Sequence, residues 1–330
     1  MARFTVIGPG ALGILFSVML HDASQDVSLL DYREERAHFL NANGLRLLEK
    51  DRVIDAHPPV ATKLEPLVPA DFVLVFVKAH QTRSTIPAVR RLCSSETMVL
   101  SLQNGIGAAD ILGEAVPAEN IFLGTTTHGA NLVSPGVVRH AGSGPTVIGP
   151  HHPDSSSMHR LDELAEIFNK AGFNTSVVND IYPYLWRKLL VNVGINPLTA
   201  LTGLRNGALL DFSQTRRLQE MAVAEAFGIV KASGIDLGMD ISEVLEMVRE
   251  VCVKTGENIS SMLQDRLNGR PTEIGFITGA VAEKALRLGM SAPVNEMLTQ
   301  LVEFHSRAGW GQFSGLFELA DKDVDSSRAG

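Results

Sequence analysis

Apolar positions recur along the chain with two different periods, and the change from one to the other divides it. Arg3-Phe4-Thr5-Val6-Ile7 is a short apolar run ending in glycines, the pattern of a strand buried in a parallel sheet. Ala11 to Leu20 is apolar almost all round, which predicts a helix without a solvent face. The alternation continues with a strand at Val27–Leu30, a helix at Arg33–Asn41 and a strand over Asp71–Val77. A helix at Ser84–Leu92 and a strand at Thr97–Leu102 follow. Strands separated by helices imply βαβ units and a doubly wound parallel sheet, an α/β fold of the Rossmann kind. From Ile121 to Ile148, shorter strand-like runs broken by Gly and Pro are expected to extend that sheet with an antiparallel edge. Met158–Ala171 predicts a covering helix and Phe173–Val178 a last strand.

After Asn179 the strand period disappears. Tyr184–Asn196, Thr215–Ser233, Ser242–Lys254, Glu273–Leu288 and Val294–Ala308 carry a 3.6-residue apolar period, separated by Gly234, Gly269 with Pro271, and Gly289 with Pro293. The expectation is a dinucleotide-binding domain over residues 1–179 and an all-helical substrate domain over 180–330, with the tail 321–330 frayed.

Composition narrows the function classes. The 330 residues suit two ordinary domains, and 45% hydrophobic with 20% charged residues is normal for a globular core. A net charge of −8, from 37 acidic against 29 basic residues, argues against nucleic acid or an anionic membrane as the main partner. No apolar run approaches the roughly 20 residues of a membrane helix. The first strand starts at Arg3, leaving no room for a signal peptide, so a cytoplasmic protein is expected. Two cysteines far apart, Cys93 and Cys252, form neither a disulfide framework nor a CxxC zinc site. No metal is expected.

Gly8-Pro9-Gly10-Ala11-Leu12-Gly13 fits G-x-G-x-x-G. The pattern is weak alone, but here it follows a strand and opens a helix, where it has mechanical meaning. Gly8 permits the turn, Gly10 lets the backbone approach a pyrophosphate, and Gly13 lets helix and strand pack closely. Asp31 lies 18 residues after Gly13, near the place of a carboxylate that binds ribose hydroxyls and favours NAD(H). Arg33 and Arg36 follow at once and suit a 2′-phosphate, or form a solvated first helical turn; the sequence leaves this choice open. Lys78 and Gln103-Asn104-Gly105 end two further strands, where an open α/β sheet presents its ligands. His128, after Thr125-Thr126-Thr127, suits either a catalytic role or that of a hydrogen-bonded structural histidine, and the structural reading is favoured.

In the second half, Lys188, Asn192 and Asn196 fall at i, i+4 and i+8 of a helix that is otherwise almost wholly apolar. Buried polar groups need partners, and such a stripe suits a small polar anion. Glu273 is its natural counter-charge, although a glutamate that starts a helix is also favoured by the macrodipole. Asn258, Ser261 and Asp265 form another one-sided polar set, also explicable as a surface face. A nicotinamide cofactor beside a lysine and amides implies hydride transfer to a carbonyl carbon, with Lys188 supplying the proton. Tyr184 and Lys188 match Y-x-x-x-K, but the glycine loop is not that of short-chain dehydrogenases and the pair follows the Rossmann half, so the match is accidental.

Taken together, these motifs resemble the ketopantoate reductase (2-dehydropantoate 2-reductase) family from Phe4 to about Ala308. The residues that carry the likeness are the glycine loop, Lys78, Asn104-Gly105, Gly124 to His128, Leu185-Trp186-Arg187-Lys188-Leu189, Asn196 to Ala200, and Glu257 to Asp265 followed by Thr272-Glu273. The resemblance implies a Rossmann domain joined to a helical domain like that of 6-phosphogluconate dehydrogenase. It implies reduction of ketopantoate to (R)-pantoate with NADP(H), in pantothenate biosynthesis. On that likeness Lys188 is the general acid, and Glu273 orients substrate and lysine. Asn192, Asn196, Asn258 and Ser261 then bind substrate, Asn104 lies near nicotinamide and substrate, and Lys78 serves the cofactor cleft. The family commonly has an arginine at the end of the second strand, where this chain has Asp31-Tyr32 before Arg33, so NAD(H) stays open as an alternative. The partner expected is a small 2-oxo acid, and a homodimer is compatible with the sequence. Two other functions remain in view: a reductase of another branched 2-oxo or 3-hydroxy acid, and a non-catalytic dinucleotide sensor.

Overall fold

The computed structural model describes residues 1–63, 67–152 and 158–308; the fraying expected of 321–330 lies outside the described residues. The chain forms two compact units, Met1–Leu185 and the part from Trp186 onward. The first unit opens with β1 (Arg3–Ile7), α1 (Ala11–Asp22), β2 (Asp26–Leu30), α2 (Glu34–Asn43), β3 (Leu45–Leu48), β4 (Val53–Ala56) and β5 (Val60–Ala61). It continues with β6 (Phe72–Val75), α3 (Ile86–Leu92), β7 (Met98–Ser101), α4 (Ala108–Leu112), β8 (Ile121–Thr126), β9 (Gly129–Ser134) and β10 (Val137–Gly142). It closes with β11 (Thr146–Pro150), α5 (Met158–Lys170) and β12 (Thr175–Val177).

Eight strands form the main sheet in the order β12-β11-β8-β7-β6-β1-β2-β5. β1 lies between β2 and β6, parallel to both, with Phe4 opposite Val27 on one side and Phe72 on the other. The chain therefore winds outward through β2 to β5, then returns to β6 and winds the other way. At such a reversal neighbouring loops diverge and open a crevice, and the glycine loop leaves β1 there. Every residue of β6 and β7 is buried, which is why both read as unbroken apolar runs.

The antiparallel edge differs from expectation. β8 continues the parallel sheet beside β7, and β11 returns antiparallel to it, but β9 and β10 leave the sheet. They join β3 and β4 in a second sheet of order β4-β3-β10-β9. The sequence pattern predicts no strand between residues 43 and 61, because these runs are too short to hold a period. This small sheet also explains α1. Leu45, Leu47, Ile54, Ala56 and Val138 share one core with Ile14, Leu15, Val18 and Met19, so the helix is covered by a sheet on each side. The helix expected at Ser84 begins as a 3₁₀ segment, Ala79–Thr85, and turns α-helical only at Ile86; Pro87 is tolerated only in a first turn.

The second unit holds helices and no strand among the described residues: α6 (Tyr182–Thr202), α7 (Ser213–Ala232), α8 (Ile241–Lys254), α9 (Ser261–Leu267), α10 (Thr278–Arg287) and α11 (Pro293–Ala308). A Cβ on Gly194 would stand 2.9 Å from Val248 Cγ1 and 3.0 Å from Val223 Cγ2, so a glycine lets α7 and α8 close on α6. Arg266 Nη1 donates to the Ala200 carbonyl at 2.5 Å and closes the end of α6. Glu273 does not start an α-helix as expected. It precedes a single 3₁₀ turn, Ile274–Phe276, and α10 begins only at Thr278. Among the described residues no helix is long and apolar enough to cross a membrane, and no cluster suited to a metal ion occurs.

Candidate active site

In the glycine loop an added side chain would meet backbone at two positions and open space at a third. Gly8 has φ +100°, and a Cβ on it would lie 2.8 Å from the Val77 nitrogen. One on Gly13 would lie 2.2 Å from the Gly8 carbonyl oxygen. Both positions therefore need glycine for packing alone. At Gly10 a Cβ would meet nothing within 4 Å, so open space faces the backbone where a pyrophosphate would approach. Gly10 caps α1 without a side-chain bond, and the first intrahelical donor is the Ile14 N–H, at 2.9 Å from the Gly10 carbonyl. The N–H groups of Ala11, Leu12 and Gly13 precede it and have no acceptor within the helix. Free donors and a positive dipole end suit a phosphate. Pro9 completes the loop.

Two strand ends adjoin this loop. Val77 touches Gly8, so the half-buried Lys78 emerges beside it and opens the 3₁₀ segment. Gln103 donates to the Val77 carbonyl at 2.7 Å and to Thr82 Oγ1 at 2.9 Å. Its amide thus ties the ends of β6 and β7 together and leaves the half-buried Asn104 at their edge.

The end of β2 departs from the simple ribose-binding picture. The Asp31 side chain has no exposed surface. Arg36 donates to both of its oxygens, Nη2 reaching Oδ1 at 2.7 Å, and the Arg33 N–H donates to Oδ1 at 3.0 Å. Arg33, exposed, donates from Nε to the Tyr32 hydroxyl at 3.1 Å, and Gln81 donates to the same hydroxyl at 3.4 Å. Partial burial opposes them, yet these bonds and the two arginine charges hold the Tyr32 phenol below its usual range. The sequence showed the charges; which of them pair is decided by the turn that folds Arg36 back on Asp31.

His128 is structural. It is buried, with Nδ1 2.9 Å from His140 Nε2. His140 in turn meets Glu49 Oε1 at 3.1 Å, and Glu49 accepts from Arg52 at 2.5 Å. This relay ties β8 to the small sheet. Burial holds the His128 imidazole below its usual pKa, and the charge of His140 adds to this, against a bond that the imidazole donates to the Phe173 carbonyl.

In the second unit α6 is one continuous helix through Pro197, so Lys188, Asn192 and Asn196 do share a face. Asn196 is buried, and Lys188 and Asn192 are half-buried. Arg187, next in sequence, is spent differently: its Nη2 donates to the Leu237 carbonyl. Burial pulls the Lys188 ammonium down to about pKa 8, while the charge of Glu273 works to raise it. Glu273 is itself buried, although its element is too short to supply a helix dipole. Burial beside an ammonium, not a helix start, is therefore what distinguishes this glutamate.

The set Asn258, Ser261 and Asp265 does not share one helix face. Asn258 is exposed in the turn before α9 and accepts from the Asn206 N–H at 3.1 Å, whereas Asp265 is buried. Ser261 is exposed at the first position of α9. Its neighbour Ser260 is the buried one, capping Leu263 N–H at 3.1 Å and meeting Thr199 Oγ1 at 2.6 Å on α6. A serine three residues before Leu263 was the available cap signal, and it was missed.

Comparison with known proteins shows the family. The model of the Ketopantoate reductase PanE/ApbA family matches residues 4–153, and that of its C-terminal region matches 180–306. A 2-dehydropantoate 2-reductase of Halobacterium salinarum is 39% identical over 308 residues, covering 93% of this chain and 100% of the relative. One from Vibrio cholerae is 33% identical, covering 91% and 97%. Among solved structures, the ternary complex of D-mandelate dehydrogenase with NADH and anilino(oxo)acetate superposes with a TM-score of 0.87 at 29% identity, covering 93% of this chain and 99% of that one. With a glycine loop shaped for a dinucleotide and a lysine drawn into a buried helix face, the chain belongs to the ketopantoate reductase PanE/ApbA family.

Proposed function

We propose that this chain reduces ketopantoate to (R)-pantoate with NADPH, and that Lys188 is the acid. The observation that carries the proposal is the Lys188 ammonium, held at about pKa 8 by burial with Glu273 as its counter-charge. A proton donor works best when its pKa lies near the working pH, because it is then both charged and willing to release its proton. The dinucleotide, held by the Gly8–Gly13 loop with Lys78 and Asn104 beside it, supplies the hydride when bound. As the ketone carbon is reduced, its oxygen gains negative charge. Lys188 first attracts that charge and then gives up its proton to the oxygen. Asn192 and Asn196 bind the carboxylate and hydroxyl of the substrate, and Glu273 orients the lysine.

For the cofactor, the buried Asp31 is already neutralised by Arg36, and Arg33 stands exposed beside it, which supports NADPH over NADH. The likeness to D-mandelate dehydrogenase supports a second reading, reduction of another 2-oxo acid. A panel of 2-oxo acids assayed with NADPH and with NADH separates the two. Ketopantoate is expected to give the highest kcat/KM. A clear preference for another 2-oxo acid rejects the substrate, and cofactor binding without any turnover rejects an enzyme in favour of a sensor. Lys188→Ala should bind cofactor normally and reduce about 10²–10⁴-fold more slowly.

A further inference from the structure

The carboxylate at the end of the second strand of a doubly wound sheet ordinarily accepts bonds from the adenosine ribose. Asp31 holds that position, but its side chain is wholly enclosed and three donors already reach it. A carboxylate has about four acceptor positions, so little capacity is left for a pair of hydroxyls. Arg36, by contrast, keeps 28% of its side chain exposed. It uses Nε and Nη2 on Asp31, which leaves Nη1 and the outer edge of the fork for another acceptor. Arg33 is the N-cap residue of α2, so both guanidinium groups spring from the same helix start. Tyr32, bonded to Arg33 and Gln81, braces the first of them.

Building on the NADPH reading, we infer that Asp31 is a positioning residue. It fixes Arg36 beside Arg33 as a receptor for a ribose 2′-phosphate, and Arg36 in turn withholds Asp31 from a 2′-hydroxyl. The pair is a selector: breaking it from the arginine side frees a ribose acceptor, and breaking it from the aspartate side loosens a phosphate donor.

The test is calorimetric binding of 2′,5′-ADP and 5′-AMP to the full chain, with melting temperatures recorded alongside. Wild type should favour 2′,5′-ADP. Asp31→Asn should lower the ratio of the two affinities roughly tenfold while 5′-AMP binding barely changes, because a charge-assisted bidentate hold on Arg36 is lost. Arg36→Gln should lower the ratio further, with tighter 5′-AMP binding as Asp31 is released, and Arg36→Lys should restore only part of it. Because Arg36→Gln leaves a buried carboxylate alone at a cost to folding, the Asp31→Asn/Arg36→Gln pair provides the same test without that charge. It should bind 2′,5′-ADP weakly and 5′-AMP no better than wild type. Equal losses for both ligands in Asp31→Asn, or an unchanged ratio in Arg36→Gln and in the double variant, overturn the inference. A wild type that prefers 5′-AMP refutes the NADPH reading alone; the changes of ratio between variants still judge the pair.

Discussion

As the proposed acid, Lys188 on α6 should make the rate of reduction depend on pH in a direction set by its surroundings. Burial lowers the Lys188 ammonium from 10.5 to about 8, and the Glu273 charge limits the fall. A general acid must carry its proton, so kcat/KM should be level at lower pH and decline on the alkaline side. With a single pKa near 8, about nine-tenths of the enzyme is protonated at about pH 7 and about one-tenth at about pH 9, a roughly tenfold decline. Glu273→Gln removes the negative charge that favours the ammonium, so its alkaline limb should move to lower pH. Lys188→Arg keeps a cation that does not titrate below about pH 12, so whatever activity survives should lose the limb. The assay follows oxidation of the reduced nicotinamide at low ketopantoate across the pH range, with each variant's fold confirmed by circular dichroism. A limb that stays in place in Lys188→Arg would assign the titration to another group, and wild-type rates that hold level well above pH 8 would remove the lysine's role as acid.

Other perturbations probe separate parts of the chain. Gly10→Ala places a methyl in open space and should leave the melting temperature nearly unchanged while weakening dinucleotide binding, whereas Gly13→Ala drives a Cβ to 2.2 Å from the Gly8 oxygen and should unfold the loop; equal melting temperatures would contradict this packing. His128 has a depressed folded pKa, so the unfolded chain takes up the proton first and stability declines as pH falls below 6.5. Glu49, held below its usual value by Arg52 and His140 against partial burial, loses its share as pH falls further through its own folded value. Thermal melts across this range should therefore fall less steeply for His128→Gln than for wild type, and parallel curves would show that His128 does not titrate on unfolding. Glu225 accepts from the Val294 and Asn295 N–H groups at 3.0 Å and from Asn295 Nδ2 at 3.0 Å, so Glu225→Gln should cost about 0.5–2 kcal/mol in urea denaturation with turnover unaffected.

Local patterning was enough to specify the Rossmann strands, the glycine loop and the helical second half. Each of these is written in a run of neighbouring residues: β6 and β7 are apolar because both faces are buried, and Lys188, Asn192 and Asn196 align because a helix repeats every 3.6 residues. What stayed hidden depends on residues distant in sequence or on a short turn. The small sheet pairs Leu45–Leu48 with Val137–Gly142, a contact that no local period encodes, and only that sheet explains why α1 has no polar face. Glu273 carries the local signature of a helix start, yet it is buried and precedes only a single 3₁₀ turn. The carboxylate of Asp31 and the guanidinium of Arg36 were both visible as charges; that they neutralise each other follows from the direction in which the chain turns after β2, because an ion pair requires proximity that composition does not supply.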